Sequence, residues 1–424
     1  MKKNFLLSIL VLIFLISCGG EKKGSQTGGK GEKVVLKVGA WNDAGDALKK
    51  VATAFEKTHP DVKIEIIESD SNYTKLTPAL VSNQGAPDII QAQARDFQSF
   101  LIKFPKQFYD LTEKMQKDGL ADKFLPASIE NVKGNGKIYA MPWDIGPTAL
   151  YYRKDMFEKA NIDPKSIETW DDFIEAGKKI QAANPGVNMT GYSEDNDFFH
   201  MLFNQLGGTY VKDNKISVNS PEAVKAFELM KKMQAANILI NVKDWNGRII
   251  ALNNSKIATV IFPVWYSGTL VNAVADQKGK WGLIELPAFE KGGNRQANLG
   301  GSVLIISEQS KNKEIAYEFL KFALATVEGE DIMMEFGLFP AYTPYYSAPS
   351  FKVNNEYFGG MDINTFFAGL TNTIPEINYG AIMLDAQTPL NNMTTSVMGG
   401  KDINTALKEA STAISQSTQL EEAK

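Results

Sequence analysis

The chain is short of the residues from which most nucleophilic and metal-binding sites are built. Of 424 residues, one is cysteine and two are histidine. The single Cys18 allows no intramolecular disulfide, and the folded domain after it is left without a cysteine nucleophile or a thiolate metal cluster. With only His59 and His200, a histidine-based triad or zinc site is not expected, and no cofactor is called for. His59 precedes Pro60 at the end of a helical pattern and is most simply a C-terminal cap. Gly-x-Ser-x-Gly, His-Glu-x-x-His, phosphate-loop and dinucleotide motifs are all missing. A glycosidase would need two carboxylates about 5 to 9.5 Å apart, which sequence spacing does not test. Charge is also not one-sided. The net value is −4, with Lys and Arg mixed among Asp and Glu, so DNA and RNA are discarded as partners. No period of about 20 to 50 residues recurs, which excludes a solenoid.

What the chain does have begins at its N-terminus. Lys2 and Lys3 precede an apolar run from Phe5 to Ile16, interrupted only by Ser8, and Leu15-Ile-Ser-Cys18 follows. The run is shorter than the roughly 20 residues of a spanning helix. It looks like a bacterial lipoprotein signal, which implies a signal peptide over 1–17, cleavage before Cys18 and lipidation of that residue. Each buried CH₂ of an acyl chain contributes about 0.8 kcal/mol of membrane affinity. Gly19 to Glu32 holds no apolar residue, so 18–32 reads as the lipidated Cys and a flexible tether with a reach of roughly 20 Å. The lipid would be the only membrane anchor, since no later stretch reaches spanning length without charges.

Beyond the tether, strands alternate with helices. Val34 to Val38 is a β-branched run, and after Gly39-Ala-Trp-Asn-Asp43 the residues Leu48, Val51, Ala52 and Phe55 fall at helical spacing. Lys63 to Ile67 reads as a second strand, Tyr73 to Ser82 as a helix, and Gly85 to Gln91 as a third strand leading to Ala92-Gln-Ala-Arg-Asp-Phe97. This alternation predicts an α/β sheet, whose ligands sit beyond the carboxyl ends of strands. The loops with Trp41, Asn42 and Asp43, and with Arg95 and Asp96, are therefore candidate ligand contacts. Later, Thr169 with Asp172 three residues on predicts a capped helix that holds Trp170 in its apolar face. Ser193 to His200 is an acidic stretch opening an apolar helix. Read from its residues, it is a solvated cap with Asp195 or Asp197 at the helix start. Ser220-Pro221 opens another helix in cap-then-proline order.

One stretch organises the rest, Gly136 to Ile162. Two β-prone runs, Lys137 to Ala140 and Leu150 to Arg153, are separated by Pro142, Gly146 and Pro147, so the backbone is broken twice between them. There the chain carries Trp143 and Asp144, fitting either a buried Trp in a turn or an aromatic face and carboxylate in a cleft. The segments Gly136 to Pro142, Leu150 to Phe157 and Thr169 to Phe173 closely resemble those of the extracellular solute-binding proteins that deliver sugars to ABC importers. Further similarity is seen at Lys256, Ala258 and Trp265, at Asn298-Leu-Gly-Gly-Ser302, and at Gly337-Leu-Phe-Pro-Ala-Tyr342, so it spans nearly the whole chain after the tether.

The resemblance implies an α/β, two-lobe, periplasmic-binding-protein-like (type II) fold with several crossovers and a ligand cleft between lobes. It implies one lobe from 33–144 with 297–340 and another from 145–296 with 341–424. It also implies a carbohydrate ligand, no enzymatic activity, the membrane subunits of an ABC importer as partners, a monomer, and an extracytoplasmic location. Trp41, Trp143, Trp265 and Tyr266 would cover the C–H faces of sugar rings, while Asn42, Asp43, Arg95, Asp96, Asp144, Asp195 and Asp197 would exchange hydrogen bonds with hydroxyls. Gly301 would allow close backbone approach, and Tyr342 would reach the cleft. Two departures from disaccharide and maltodextrin binders, Ala92-Gln93 after the third strand and the loss of a late-helix aromatic near Gln387, imply a smaller or more polar pocket. Alternatives are a polyamine, iron or peptide ligand on the same fold, or a surface glycan hydrolase.

Overall fold

A computed structural model describes residues 33–423; the signal peptide, Cys18 and the tether expected over 1–32 lie outside them. The first sheet holds β1 (Val34–Ala40), β2 (Val62–Glu68), β3 (Ile89–Gln93), β4 (Met141–Pro142) and, from much later in the chain, Ser302–Ile306. Their order is β2-β1-β3-(302–306)-β4. β1 runs parallel to β2 and β3, and the late strand is antiparallel to β3 and β4. Central β3 is buried at four of its five positions, as expected of a strand covered on both faces.

The second sheet is built from β5 (Thr148–Arg153), β6 (Thr190–Ser193), β7 (Leu239–Lys243), β8 (Thr259–Pro263) and β9 (Trp281–Ile284). β8 and β9 flank β5, both antiparallel to it. β6 and β7 pair in parallel, and this pair joins β8 where Thr259 N–H donates to Met189 C=O at 2.8 Å. The late strand of the first sheet, Ser302–Ile306, is β10. Thus the chain builds most of one sheet, crosses to build the other, and returns for one strand.

Helices cover both sheets. α1 (Asn42–Thr58) and α2 (Ala94–Lys103) follow β1 and β3 directly. α3 (Trp170–Ala183) has the capping box foreseen from Thr169 and Asp172, with each side chain bonded to the other's backbone N–H. α4 (Asp197–Gln205) and α5 (Pro221–Ala235) follow, and the Ser220 side chain accepts from Ala223 N–H as the cap-then-proline order predicts. α6 (Trp245–Asn253) and α7 (Tyr266–Ala273) start just past β7 and β8. α8 (Lys313–Leu324), α9 (Val327–Glu335), α10 (Met383–Met398) and α11 (Ile403–Thr418) complete the chain. Among the described residues no helix is long and apolar enough to cross a membrane.

Three segments cross between the sheets and lie side by side. Ile145 N–H donates to Phe339 C=O and Ala341 N–H to Trp143 C=O, each at 2.9 Å. Thr148 N–H donates to Ala297 C=O and Leu299 N–H to Gly146 C=O, also at 2.9 Å. Gly146 has no room for a side chain, because a Cβ there would stand 1.9 Å from the Leu299 carbonyl oxygen. The proline and glycine breaks read from the sequence therefore mark the first of three strands in a hydrogen-bonded hinge.

Several local expectations are corrected. The post-strand loops at Trp41–Asp43 and Gln93–Asp96 are instead helix starts, α1 beginning at Asn42 and α2 at Ala94. Gln93 is the last residue of β3, not part of a loop. Tyr73 is no helix residue. It has φ +58°, and the helix begins at Leu76. His59 is the C-cap of α1, as expected.

Candidate functional site

The carboxyl ends of β1, β3 and β4 and the start of antiparallel β10 share one edge of the first sheet. Trp41 stands there half-buried, its backbone N–H bonded to Gln91 Oε1 at 3.0 Å and its ring edge-on to Tyr73 at 5.8 Å. Asn42 and Asp43 are exposed in the first turn of α1. Asp96 is buried, and its Oδ2 accepts the Tyr73 hydroxyl at 2.8 Å. That hydroxyl in turn accepts from Gln93 N–H at 2.9 Å, so Asp96 fixes the turn that carries Arg95. Arg95 Nε is 3.9 Å from Asp96 Oδ1 and has no hydrogen-bond partner.

The second sheet presents an equivalent edge at the ends of β6, β7 and β8. After β6, Asp195 Oδ1 accepts from Asp197 N–H at 3.1 Å in the first turn of α4. Burial and the neighbouring Asp195 raise the Asp197 carboxyl, opposed by Arg95 from the other lobe and by Arg248. After β8, Trp265 is half-buried, with Nε1 donating to Leu299 C=O at 3.1 Å on the second crossing. After β7 comes Trp245, which sequence reasoning missed. It is 41% exposed, and its ring lies 6.1 Å from that of Trp265 with the planes 26° apart. The signal that singled out Trp41, an aromatic just past a strand end, applies equally to Lys243-Asp-Trp245. Arg248, also missed, is buried with its guanidinium 4.2 Å over the Phe262 ring and Nη2 donating to Ser193 Oγ.

Three expected contacts are placed elsewhere. Trp143 is 1% exposed and belongs to the core beneath the hinge, where its backbone N–H donates to Ser302 C=O. Tyr266 is fully buried, packed edge-on against Trp245 at 5.3 Å. Both belong to the buried apolar cluster, Tyr266 with its ring 4.8 Å from that of Phe262. Tyr342 is half-buried against Phe124 at 5.4 Å, at the far end of the third crossing. Asp144 does face a cavity, but its Oδ1 already accepts from Ser302 N–H at 2.7 Å, and burial pushes its carboxyl up to about 6. Gly301, at φ +104°, would carry a Cβ only 2.7 Å from the Asp144 carbonyl oxygen, so its close approach is to backbone.

Arg95 lies within electrostatic reach of Asp197 and Tyr379 on the other lobe, and Tyr379 also lines, with Asp144, Asn298 and Ser302 among others, a cavity of about 280 Å³. α10 closes the junction. Asn391 Oδ1 accepts from Asn196 N–H at 3.1 Å, and Lys103 of α2 binds both Asp385 oxygens at 2.8 and 2.7 Å. Arg95 Nε, Asn196 Nδ2 and Gln387 Nε2 are all buried donors without partners. His200, at the centre of Tyr210 and Tyr379, is held neutral. Burial and Arg95 depress its pKa to about 3, and its Nδ1 pairs with the Tyr210 hydroxyl at 2.8 Å. Among the described residues no group of acidic, histidine or cysteine side chains is arranged to hold a metal ion.

Two lobes joined by a three-strand hinge, with polar and aromatic groups meeting at their facing edges, are matched by the family described as bacterial extracellular solute-binding protein over residues 39–329. The chain belongs to that family. This solute-binding protein is 30% identical over 389 residues to the arabinooligosaccharide-binding protein of Bacillus subtilis (strain 168), spanning 88% of this chain and 87% of the relative. It is 27% identical over 372 residues to the lactose-binding protein of Rhizobium radiobacter, spanning 85% and 87%. Among solved structures, the transporter-associated binding protein of B. animalis subsp. lactis Bl-04 in complex with β-1,6-galactobiose superposes with a TM-score of 0.78. It is 26% identical, over 91% of this chain and 98% of that one. The galacto-N-biose/lacto-N-biose I-binding protein of Bifidobacterium longum shares the fold at a TM-score of 0.78 and 20% identity, over 93% and 100%.

Proposed function

We propose that this solute-binding protein captures a mono- or oligosaccharide between its lobes and delivers it to the membrane subunits of an ABC importer by lobe closure, without chemistry on the sugar. The lobes are 33–144 with 297–340 and 145–296 with 341–424, and the protein acts as a monomer outside the cytoplasm, tethered by lipid on Cys18. What carries the reading is the set of groups at the junction. Trp41 on one lobe and the Trp245–Trp265 pair on the other offer π faces to C–H surfaces of sugar rings. Arg95, Asn196 and Gln387 supply donors with no protein acceptor, which hydroxyl oxygens would accept, and Asp197 supplies an acceptor for a hydroxyl proton. The names of the relatives, arabinooligosaccharide- and lactose-binding among them, support a short oligosaccharide.

Thermal melting against a panel of mono- and oligosaccharides, with spermidine and ferric citrate included, tests this. A ligand at a hundred times Kd stabilises the native state by about 2.7 kcal/mol, a shift of a few degrees. A shift with one sugar that remains unconsumed over hours is the expected result. Consumption of the glycan would show an enzyme, and a shift with spermidine or iron alone would retain the fold and replace the ligand.

A further inference from the structure

α6 carries a cation where its surroundings are unfavourable to one. Arg248 is the fourth residue of that helix, near the positive end of the helix dipole, and it is 2% exposed. A positive charge is disfavoured at that end and again by burial, and the long side chain loses rotamer freedom when it is held still. An apolar side chain of similar length would fill the space without these costs. Local packing brings the helix start close to the strand before it. Asp244 Oδ1 accepts from Gly247 N–H at 2.8 Å, and Arg248 N–H donates to Asp244 C=O at 3.0 Å. A Cβ at Gly247 would stand 1.8 Å from the Val242 carbonyl oxygen, so the approach to the end of β7 requires glycine there.

The groups that Arg248 touches lie on two other strand ends of the same edge. Its guanidinium is 4.2 Å over the Phe262 ring, and its Nη2 donates to Ser193 Oγ. Phe262, in β8, stands edge-on to Trp265 at 5.4 Å and to Trp245 at 6.2 Å. Ser193 ends β6 and opens the stretch that carries Asp195 and Asp197. It is 1% exposed, and among the described residues Arg248 is the partner of its hydroxyl. One planar cation therefore links the element after β7 to the aromatic end of β8 and to the polar end of β6.

We propose that Arg248 is a positioning residue for sugar capture, which sets the Trp245–Trp265 pair against the Asp195–Asp197 stretch by acting through Phe262 and Ser193. This rests on the sugar reading of the site. A guanidinium is flat, so it stacks on a ring with its face while it donates a hydrogen bond with its edge. Both partners are thereby held at fixed distances from one group. The π faces and the polar groups that a sugar meets on this lobe then keep one separation, and a site is precise only when such supporting contacts lock it. An ammonium on a flexible stem does not make both contacts at once.

The test uses the purified full chain with Arg248→Met, which keeps the length over Phe262 without charge or donors, Arg248→Lys, which keeps the charge, and Ser193→Ala, which removes the acceptor. Replacing a buried cation by an apolar side chain of similar volume is often neutral for stability, so Arg248→Met should melt within a few degrees of the wild type. Calorimetric titration with the neutral di- and trisaccharides of the melting panel should nevertheless give an affinity about tenfold lower or more, which Arg248→Lys does not restore. Ser193→Ala should weaken binding severalfold alone and add nothing in the Arg248→Met background. Wild-type affinity in Arg248→Met overturns the proposal, and so do additive losses in the double variant. Near-ultraviolet circular dichroism supplies an arm that needs no sugar. The Trp245 and Trp265 rings, 6.1 Å apart, are close enough for their spectra to couple, and the band lost in Trp245→Phe should also be diminished in Arg248→Met and Arg248→Lys. An unchanged band in both overturns the proposal even where the melting temperature falls, because a merely structural arginine would give that result. A diminished band in a protein that binds no sugar of the panel would sink the sugar reading while upholding the part of Arg248 in setting the pair.

Discussion

Two tryptophans, each a short step past a β-prone run in the sequence, occupy opposite environments in the structure. Trp143 is 1% exposed while Trp265 is half-buried at the lobe junction. Residue type and the neighbouring prolines are visible in the sequence, but which side of a crossing faces water depends on the two strands laid beside it, which come from residues 297–301 and 339–341. This predicts a split between stability and binding. Trp143→Ala removes a fully packed indole and should cost about 3 to 5 kcal/mol in denaturant unfolding. Trp265→Ala loses one hydrogen bond to Leu299 C=O and part of a π surface, and should cost about 1 kcal/mol in stability while weakening the sugar-induced melting shift. If Trp143→Ala unfolds like the wild type and loses only binding, the burial argument fails. Trp245 is equally legible, since it follows β7 as Trp265 follows β8.

Elements with local causes were read well. Thr169 and Asp172 satisfy each other's backbone across the first turn of α3, a reciprocal contact that needs nothing from the rest of the chain. Thr169→Ala should therefore cost about 1 kcal/mol, seen as a lower denaturation midpoint with an unchanged slope, whereas a change in slope would mean that more than the cap was lost. Elements whose limits depend on distant partners were read less accurately. β3 extends to Gln93 because Ser302 and Val303 pair with Gln93 and Ala92, a partner 209 to 211 residues away. That extension leaves Arg95 in a helical first turn, where Tyr73 and Asp96 aim it at the other lobe. The same long-range pairing hides from the sequence that Asp144 is not a free ligand group. Its Oδ1 is already held by the backbone of Ser302.

At the scale of the whole molecule, the lobes are joined by three hydrogen-bonded strands and touch again at their far edges. The second contact is made by Lys103 with Asp385, by Ser99 with Leu384 N–H at 3.5 Å, and by Arg95 facing Asp197 and Tyr379. The three crossings hold the lobes together, and these side-chain contacts bear on the angle between them. The Lys103–Asp385 pair is partly exposed, and such a pair contributes about 0 to 1 kcal/mol. That is small against global unfolding, yet when two states differ by only a few kcal/mol it changes their populations severalfold. Lys103→Glu turns the bidentate contact with Asp385 into a like-charge one. The variant should melt within a few degrees of the wild type but show a larger radius of gyration by small-angle scattering without ligand, returning to the wild-type value with saturating sugar. Its sugar affinity should fall by less than about tenfold, since a contact of about 1 kcal/mol stays below the roughly 1.4 kcal/mol of a tenfold change. An unchanged radius of gyration would mean that the three crossings, rather than the contacts at the far edge, set the angle between the lobes.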